Sequence, residues 1–224
     1  MLGKRGLINK IREKHGRKVI LTGALAAMLM VGGASAYFTD TEAKDNTWTV
    51  GSVDLQLIEE AYDKAPDERV NITPNKKLSK DPLIKNTGSN DAFVFMKFTV
   101  PKADVKVASE DGRNIQSGMQ ELFSYIIDSN WTQISKEETS TGNTYVYAYG
   151  TASECTKLKP NASTSVIFKD SKIKFKNVIE GQGLEHKTLE LPVEAYAIQT
   201  NDITEAGHTD PASVWAVLNG EVEE

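Results

Sequence analysis

The chain has 224 residues, and its 31 acidic residues outnumber its 26 basic ones, which gives a formal net charge of −5 at pH 7. Seven basic residues and one acidic residue lie in the first 18 positions, so residues 37–224 carry a net charge of −11. That acidity argues against nucleic acid or an anionic membrane as a partner, and the single cysteine, Cys155, excludes an intrachain disulfide bond.

The N-terminus predicts a secretory signal peptide over residues 1–36. A basic stretch precedes the uncharged apolar run Val19–Val31, and Ala34-Ser35-Ala36 is a small-residue cleavage pattern. The sequence therefore predicts cleavage between Ala36 and Tyr37 and export, in a bacterium of the Gram-positive type. A retained membrane anchor is the alternative, although the 13-residue run is shorter than the ~20 residues that span a bilayer.

Alternating apolar and polar residues predict that the exported chain is mostly β. The pattern is clearest in Trp48–Leu57, Asp91–Val100, Thr144–Gly150, Val166–Phe168, the alternation of Ile173 and Phe175 with lysines, and Thr188–Thr200. Clusters of Asn, Gly, Pro and Thr separate these stretches, as turns do between strands. We expect one antiparallel β-sandwich domain over residues 49–224.

Three features of these strands predict their surroundings. Asp91–Val100 is apolar on both faces, which suits a central strand that is covered on both sides. Pro192 cannot donate to a strand ladder, so the strand around it starts at an edge or bends there. Tyr145, Tyr147 and Tyr149 share one face; we expect this face to pack against a helix, with a sugar-binding surface as the alternative.

Two short helices are predicted as insertions that cover the sandwich. Ser117 and Gln120 form a capping-box pattern, and apolar residues follow at helical spacing, namely Met119, Leu122, Phe123, Ile126 and Ile127. Near the C-terminus, Asp210 is placed to cap a helix, Pro211 suits its first position and Gly220 its end. The stretch Glu59–Arg69 is predicted to be a charged loop.

The sequence contains no pattern that predicts catalysis, a cofactor or a metal. Beyond the signal region the two histidines are His186 and His208, and neither belongs to a His-Glu-x-x-His pattern. His208 with Asp210 is only a weak candidate pair for a metal ion. Cys155 has no histidine base nearby in sequence, so we expect an unreactive thiol. The sequence therefore predicts a protein that is not an enzyme.

The junction GGASAYFTDTEAKDNTWTVGSVDLQL, residues 32–57, resembles that of the TasA/camelysin family, whose signal peptides are cut by a dedicated SipW-type peptidase. The shared features are small residues up to the cut, the aromatic Phe38 just after it, a polar stretch, Trp48, and the strand Val53-Asp54-Leu55. KDPLIKNTGSNDAFVFMKFTV, residues 80–100, is similar to the strand–turn–strand unit of that family.

The resemblance implies a jelly-roll subunit that is secreted to the cell surface or biofilm matrix and assembles into fibres. In such fibres the N-terminal segment of one subunit inserts as a strand into the sheet of the next. Here the donor would lie in residues 37–48, with Tyr37, Phe38, Thr39 and Trp48 as its assembly residues. The implied partners are further copies of this chain, a second secreted matrix protein and the signal peptidase.

Two alternative functions stay open on the sequence alone. The chain could be an accessory or anchoring protein for the fibres of another subunit. The second alternative is metalloendopeptidase activity, which some relatives of camelysin type have. This chain lacks a recognisable zinc motif, so the resemblance does not predict that activity here.

Overall fold

The computed structural model describes residues 39–43, 53–205 and 207–220. The strands among them are β1 (Thr39–Ala43), β2 (Leu55–Ile58), β3 (Lys77–Ser79), β4 (Leu83–Asn86), β5 (Ala92–Ala108), β6 (Ile115–Glu121), β7 (Phe123–Ser124), β8 (Trp131–Glu138), β9 (Gly142–Tyr149), β10 (Lys172–Phe175) and β11 (Val193–Gln199). The helices are α1 (Glu60–Asp63), α2 (Asn201–Glu205) and α3 (Pro211–Asn219), with 3₁₀ turns at Pro66–Arg69 and Lys169–Ser171.

The main sheet has the strand order β1, β11, β5, β9, β8, with β6 paired to the distal half of β5. A second sheet has the order β3, β10, β7, and β2 pairs with β4. All these pairings are antiparallel, and the sheets curl into a half-barrel. The mostly β, antiparallel class predicted from the sequence is therefore confirmed.

β5 organises the main sheet. Its first half pairs with β11 on one side and β9 on the other, and its second half pairs with β6. The change of partner falls at Pro101, which cannot donate a backbone hydrogen bond and whose carbonyl accepts from Leu122 N–H at 2.9 Å. Phe93 to Val100 are buried except for Lys97 and Thr99, so the predicted central strand is confirmed and extends beyond its predicted end.

One buried apolar cluster joins all three sheets. Phe98 lies at its centre, with its ring centroid 5.1 Å from that of Phe168 and 5.6 Å from those of Tyr145 and Tyr147. The tyrosine face of β9 thus packs in the core between the sheets, and the expected packing against a helix is wrong. The opposite face of the same sheet is the one that a helix covers.

The predicted helix around residues 117–128 is wrong. This stretch forms β6 and β7, and the chain turns at the buried Leu122 between them. Of the five apolar residues at helical spacing, Met119 and Ile126 are 48% and 64% exposed. Pairing of β6 with β5 along seven residues outweighs a local helical preference of a few tenths of a kcal/mol per residue.

The C-terminal helix is where the sequence predicts it. Asp210 accepts a hydrogen bond from Ser213 N–H at 3.0 Å, Pro211 begins α3, and Gly220 ends it in the left-handed conformation with φ of 68°. Trp215 on α3 contacts Phe95 and Tyr196 at centroid distances of 5.2 and 5.3 Å. Of the described helices, none is long and apolar enough to cross a bilayer.

The predicted charged loop at Glu59–Arg69 is ordered by a buried group of charges. Asp81 accepts hydrogen bonds from Ala61 N–H at 2.8 Å and Tyr62 N–H at 3.0 Å, at the start of α1. The Lys80 Nζ lies 2.8 Å from the Glu59 Oε1, an ion pair without hydrogen-bond alignment, and 4.6 Å from the Tyr62 ring centroid. Both charged side chains are less than 10% exposed, so this pair fixes the segment to the sandwich.

The turn after β4 is held by a fully buried asparagine. The Asn86 side chain donates to the carbonyl oxygens of Asn90 at 2.8 Å and Leu158 at 2.9 Å, and it accepts from Gly88 N–H at 2.9 Å. The backbone N–H groups of Thr87 and Gly88 donate to Asp54 O. The predicted turn at residues 86–90 is therefore confirmed, and its first residue also tethers the chain segment at Leu158.

Candidate interaction site at the edge of the main sheet

The segment predicted to be a donor strand contributes β1, the edge strand of the main sheet. β1 runs antiparallel to β11, with Asp40 opposite Ala197 and Glu42 opposite Ala195. Within the described ranges β11 is the one strand that pairs with β1. A strand with a single neighbour is held to the fold along one side only, and its release leaves the pairing of the other strands unchanged.

Of the individual residues predicted for assembly, Thr39 lies in β1, where it is opposite Ile198. Tyr37, Phe38 and Trp48 lie outside the described residues, as do Ala34 and Ala36 of the predicted cleavage site. The roles predicted for these five residues therefore stay predictions.

β11 provides the surface on which β1 lies. It begins at Val193, one residue after Pro192, so the strand predicted over Thr188–Thr200 is wrong for residues 188–192, and proline precedes the first paired residue. β5 pairs with β11 along all seven of its residues, and β1 pairs along five of them, from Glu194 to Ile198. Without β1, the outer backbone edge of β11 would present unpaired N–H and C=O groups, which is a template for another strand.

The two faces of β11 belong to different packing layers. Val193, Ala195 and Ala197 face the core between the sheets, and both alanines are fully buried. Ile198, also fully buried, faces the layer covered by α2 and α3. An open β11 edge would therefore combine unpaired backbone groups with apolar side chains on both faces, which favours the addition of a strand.

Polar contacts reinforce the outer face beside this edge. The Lys97 Nζ lies 3.4 Å from the Glu194 Oε2, and the Tyr196 hydroxyl donates to the same carboxylate. Burial of the ring, and then the hydrogen bond to Glu194, raise the pKa of Tyr196. Tyr196 therefore stays neutral over the physiological pH range, and the contact of its ring with Trp215 joins β11 to α3.

The opposite edge of the sheet has features that discourage strand addition. β8 carries Lys136, Glu137 and Glu138 in its exposed second half. Its register with β9 also shifts between Gln133 and Ser135. Charges and bulges are common protections of natural edge strands, so the two edges of the main sheet differ in chemical character.

The residues considered for metal binding or nucleophilic chemistry do not form a site in the described part of the chain. His186 is exposed in a loop, and His208 lies in the loop before α3. No group of three or more His, Cys, Asp or Glu side chains in residues 39–43, 53–205 and 207–220 could hold a metal ion. Cys155 is buried, and burial, followed by the charges of Asp210 and Glu154, raises the pKa of its thiol to about 12.

The sequence did not identify β11 as the partner of β1. Alternation predicts β11 as a strand, and the small side chains of Ala195 and Ala197 lie in step on one face. Neither feature specifies a neighbour, because β1 and β11 are about 150 positions apart in the chain. The charged Glu59–Lys80 pair was missed for a similar reason, since its two residues come together only in the fold.

Comparison with known proteins gives one result that bears on this geometry. A family model described as camelysin metallo-endopeptidase matches residues 10–166, which is more than half of the chain. No curated protein and no solved structure matches the chain.

Proposed function

The chain belongs to the camelysin metallo-endopeptidase family, and we propose that it is a secreted structural subunit that assembles head-to-tail into fibres by donating β1 to the next copy. Family membership supports a secreted role of the matrix or camelysin type. The observation that carries the finer proposal is the position of β1 as an edge strand that pairs, among the described residues, with β11 alone.

A β1 strand makes the same contacts whether it lies on its own β11 or on that of another copy. If β1 leaves its own β11, five residues of backbone pairing are lost. The same five residues of a second copy restore all of these contacts. Exchange of an identical element therefore has little net cost in contacts, and the connection between β1 and β2 decides how readily it occurs.

Exchange of β1 builds a filament when each copy donates to one neighbour and accepts from another. Each copy donates β1 and accepts a strand at β11, so the two partner surfaces differ. A contact of this head-to-tail kind propagates unless its rotation closes a ring. Backbone hydrogen bonds supply much of the affinity when a strand is added to a sheet. Because this pairing does not depend on apolar side chains, the polar sequence of residues 39–43 is compatible with a donor strand.

We also propose that a signal peptidase processes the chain and that a second secreted protein is a partner. A signal peptidase of the SipW type would cut between Ala36 and Tyr37, which frees the donor segment of residues 37–48. Phe38 and Trp48 would be its apolar anchors. The product would lie at the cell surface or in the extracellular matrix, where a second secreted matrix protein is a candidate partner.

Electron microscopy of residues 37–224 with and without residues 37–47 tests the proposal. We expect the full exported chain to form filaments, and we expect the shortened chain to stay monomeric with an unchanged circular dichroism spectrum. The shortened chain still has an acceptor edge at β11. Added at a small molar fraction to the full chain, it should therefore end filaments early and reduce their mean length.

A peptide of residues 37–48 tests whether the β11 edge binds the donor strand. A scrambled peptide of the same composition is the control. Only the native order should protect the β11 amides of the shortened chain from hydrogen exchange. The proposal fails if the full chain stays monomeric at high concentration even when seeded. It also fails if removing residues 37–47 unfolds the protein, because β1 would then be an ordinary structural strand.

Metallo-endopeptidase activity is the second candidate, because the family description names it. The described residues do not offer a donor set for a catalytic metal, since the exposed His186 and the loop residue His208 lie in no group of potential ligands. Stoichiometric zinc in the purified protein, with casein cleavage lost in both His186→Ala and His208→Ala, would support this activity.

An accessory role is the third candidate, in which this chain anchors the fibres of another subunit. Strand addition at β11 would serve that role equally, with the donor coming from the other protein. Polymerisation that requires a second secreted protein of the same bacterium, and fails with this chain alone, would favour the accessory role over self-assembly.

A further inference from the structure

β6 is a second open edge of the fold, at some distance in sequence from β1 and β11. It pairs along seven residues with the distal half of β5 and, within the described ranges, with no other strand. Ile115 and Met119 on this strand are 58% and 48% exposed. They are four positions apart and therefore lie on the same face of the strand. This β6 edge joins exposed apolar side chains to unpaired backbone groups.

The β6 edge lacks the protection found at β8. The sequence IQSGMQE has one charged residue, Glu121, at its end, and its register with β5 is unbroken from Ile115 to Glu121. Gly118 at its centre has a φ of 115° and open space around the position of a Cβ atom. Edge strands with few charges and exposed apolar side chains pair readily with other strands, so this edge has the character of an interface.

The sequence of the β6 edge is complementary to itself in one antiparallel register. When two copies are related by a two-fold axis at Ser117, Ile115 of each lies opposite Met119 of the other. Continued by two residues, the same register sets Arg113 opposite Glu121, whose carboxylate already accepts hydrogen bonds from the Asn143 side chain and the Tyr145 hydroxyl of its own subunit. The apolar side chains of the two copies then meet at two positions, a pairing that stabilises antiparallel strands.

We propose that the β6 edge is an interface between two copies of this chain, joined antiparallel about a two-fold axis at Ser117. The two β5–β6 hairpins then form one continuous ribbon of four strands. An isologous contact of this kind closes at two copies. It uses no residue of β1 or β11, so it stands whether or not head-to-tail assembly occurs, and in a filament it would join neighbouring filaments side by side.

Cysteine crosslinking of the exported chain, residues 37–224, tests the proposed register between two β6 strands. Opposite residues in an antiparallel pair have Cα atoms about 4.5–5.5 Å apart, within the range of a disulfide bond. Under mild oxidation Ser117→Cys should give a covalent dimer by itself. Ile115→Cys and Met119→Cys should each give little dimer alone but a heterodimer when mixed. The native Cys155 is buried and contributes no background.

Ser135→Cys on the β8 edge is the matched control, because it is also an exposed serine on an edge strand and should stay monomeric. The substitutions concern exposed side chains, and equal thermal unfolding midpoints would establish that each variant folds. The proposal is overturned if Ser117→Cys stays monomeric or dimerises no faster than Ser135→Cys. It is also overturned if the mixture of Ile115→Cys and Met119→Cys gives no more dimer than either variant alone.

Repeating the experiment on the chain without residues 37–47 separates this contact from strand donation, since the Ser117→Cys dimer should persist there.

Discussion

Asp40 lies directly opposite Ala197 in the antiparallel register of β1 and β11. On its other side Ala197 is opposite Val94 of β5. The segment just after the predicted cleavage site therefore continues the sheet by one strand beyond β11. Whether that strand belongs to the same copy or to a neighbour is a question of connection, because the pairing is the same in both cases.

A disulfide bond across this pair would lock β1 in its own subunit. We expect the double variant Asp40→Cys/Ala197→Cys to form an intramolecular disulfide, since directly opposite residues lie within bonding range. The oxidised protein should remain monomeric by electron microscopy and light scattering, because the donor strand cannot leave. Reduction with dithiothreitol should restore filament growth. Each single variant serves as a control, and filaments that grow equally well from the oxidised double variant would contradict strand donation.

Much of the fold follows from sequence patterns that reflect local geometry. The two-residue period predicts β5, β10 and β11, because successive strand residues face opposite sides. The capping residues around Pro211 predict α3, and the match to the family confirms the resemblance of residues 32–57 and 80–100.

The errors arise where a partner distant in sequence decides the structure. β6 has apolar residues at helical spacing, yet its pairing with β5 makes it a strand and leaves Met119 exposed. Tyr147 was expected beneath a helix, but its ring stacks on Phe98 in the core. For the candidate site, the donor segment was predicted by resemblance, whereas its place beside β11 depends on a pairing that no local pattern encodes.

The buried Lys80–Glu59 pair should be far more costly to break than to replace. Lys80→Met alone leaves the Glu59 carboxylate buried without its partner, and we expect a loss of about 3–5 kcal/mol in the free energy of unfolding. Glu59→Leu alone should be similarly harmful. The double variant should recover most of this loss, because two apolar side chains of similar volume replace the two charges. Urea unfolding of the four proteins measures the coupling between the sites.

The exposed pair Lys64–Glu60, at 2.7 Å, joins the first residue of α1 to the residue after its end and is the control for that cycle. Water screens solvent-exposed ion pairs, so Lys64→Ala should change the free energy of unfolding little. If the double variant at residues 59 and 80 loses as much stability as the sum of its single variants, the two side chains are not coupled and the interpretation is wrong.

Asn86 should be among the most sensitive polar residues of the sandwich. Asn86→Ala removes two donated hydrogen bonds and one accepted bond at a fully buried position. A hydrogen bond contributes roughly 0.5–1.5 kcal/mol to stability, so the loss of three should cost about 3 kcal/mol. Asn219→Ala, at an exposed position near the end of α3, should stay within about 0.5 kcal/mol. A similar small effect for both variants in urea unfolding would contradict the role assigned to Asn86.

The cap of α3 should give the protein a stability term that depends on pH. Hydrogen bonds from Ser213, through its hydroxyl and its backbone N–H, lower the pKa of Asp210 below its ordinary value. Because the folded pKa is lower than the unfolded one, the ionised carboxylate stabilises the fold fully above the unfolded pKa of about 3.9. This contribution is lost as the pH falls through the folded pKa.

Two substitutions at this position separate the titration of Asp210 from its capping. Asp210→Ala removes both the titrating group and the cap. Loss of an N-cap costs about 0.5–2 kcal/mol, so at pH 6 this variant should unfold at a lower urea concentration than the native protein. Its deficit should shrink at pH 2.5, because the native carboxyl group takes up protons as the pH falls below the unfolded pKa. Asp210→Asn retains an acceptor that does not titrate, so it should be more stable than Asp210→Ala by the same amount at both pH values. A deficit of Asp210→Ala that is equal at pH 6 and pH 2.5 would mean that the charge of Asp210 contributes nothing, and that Ser213 requires only a hydrogen-bond acceptor.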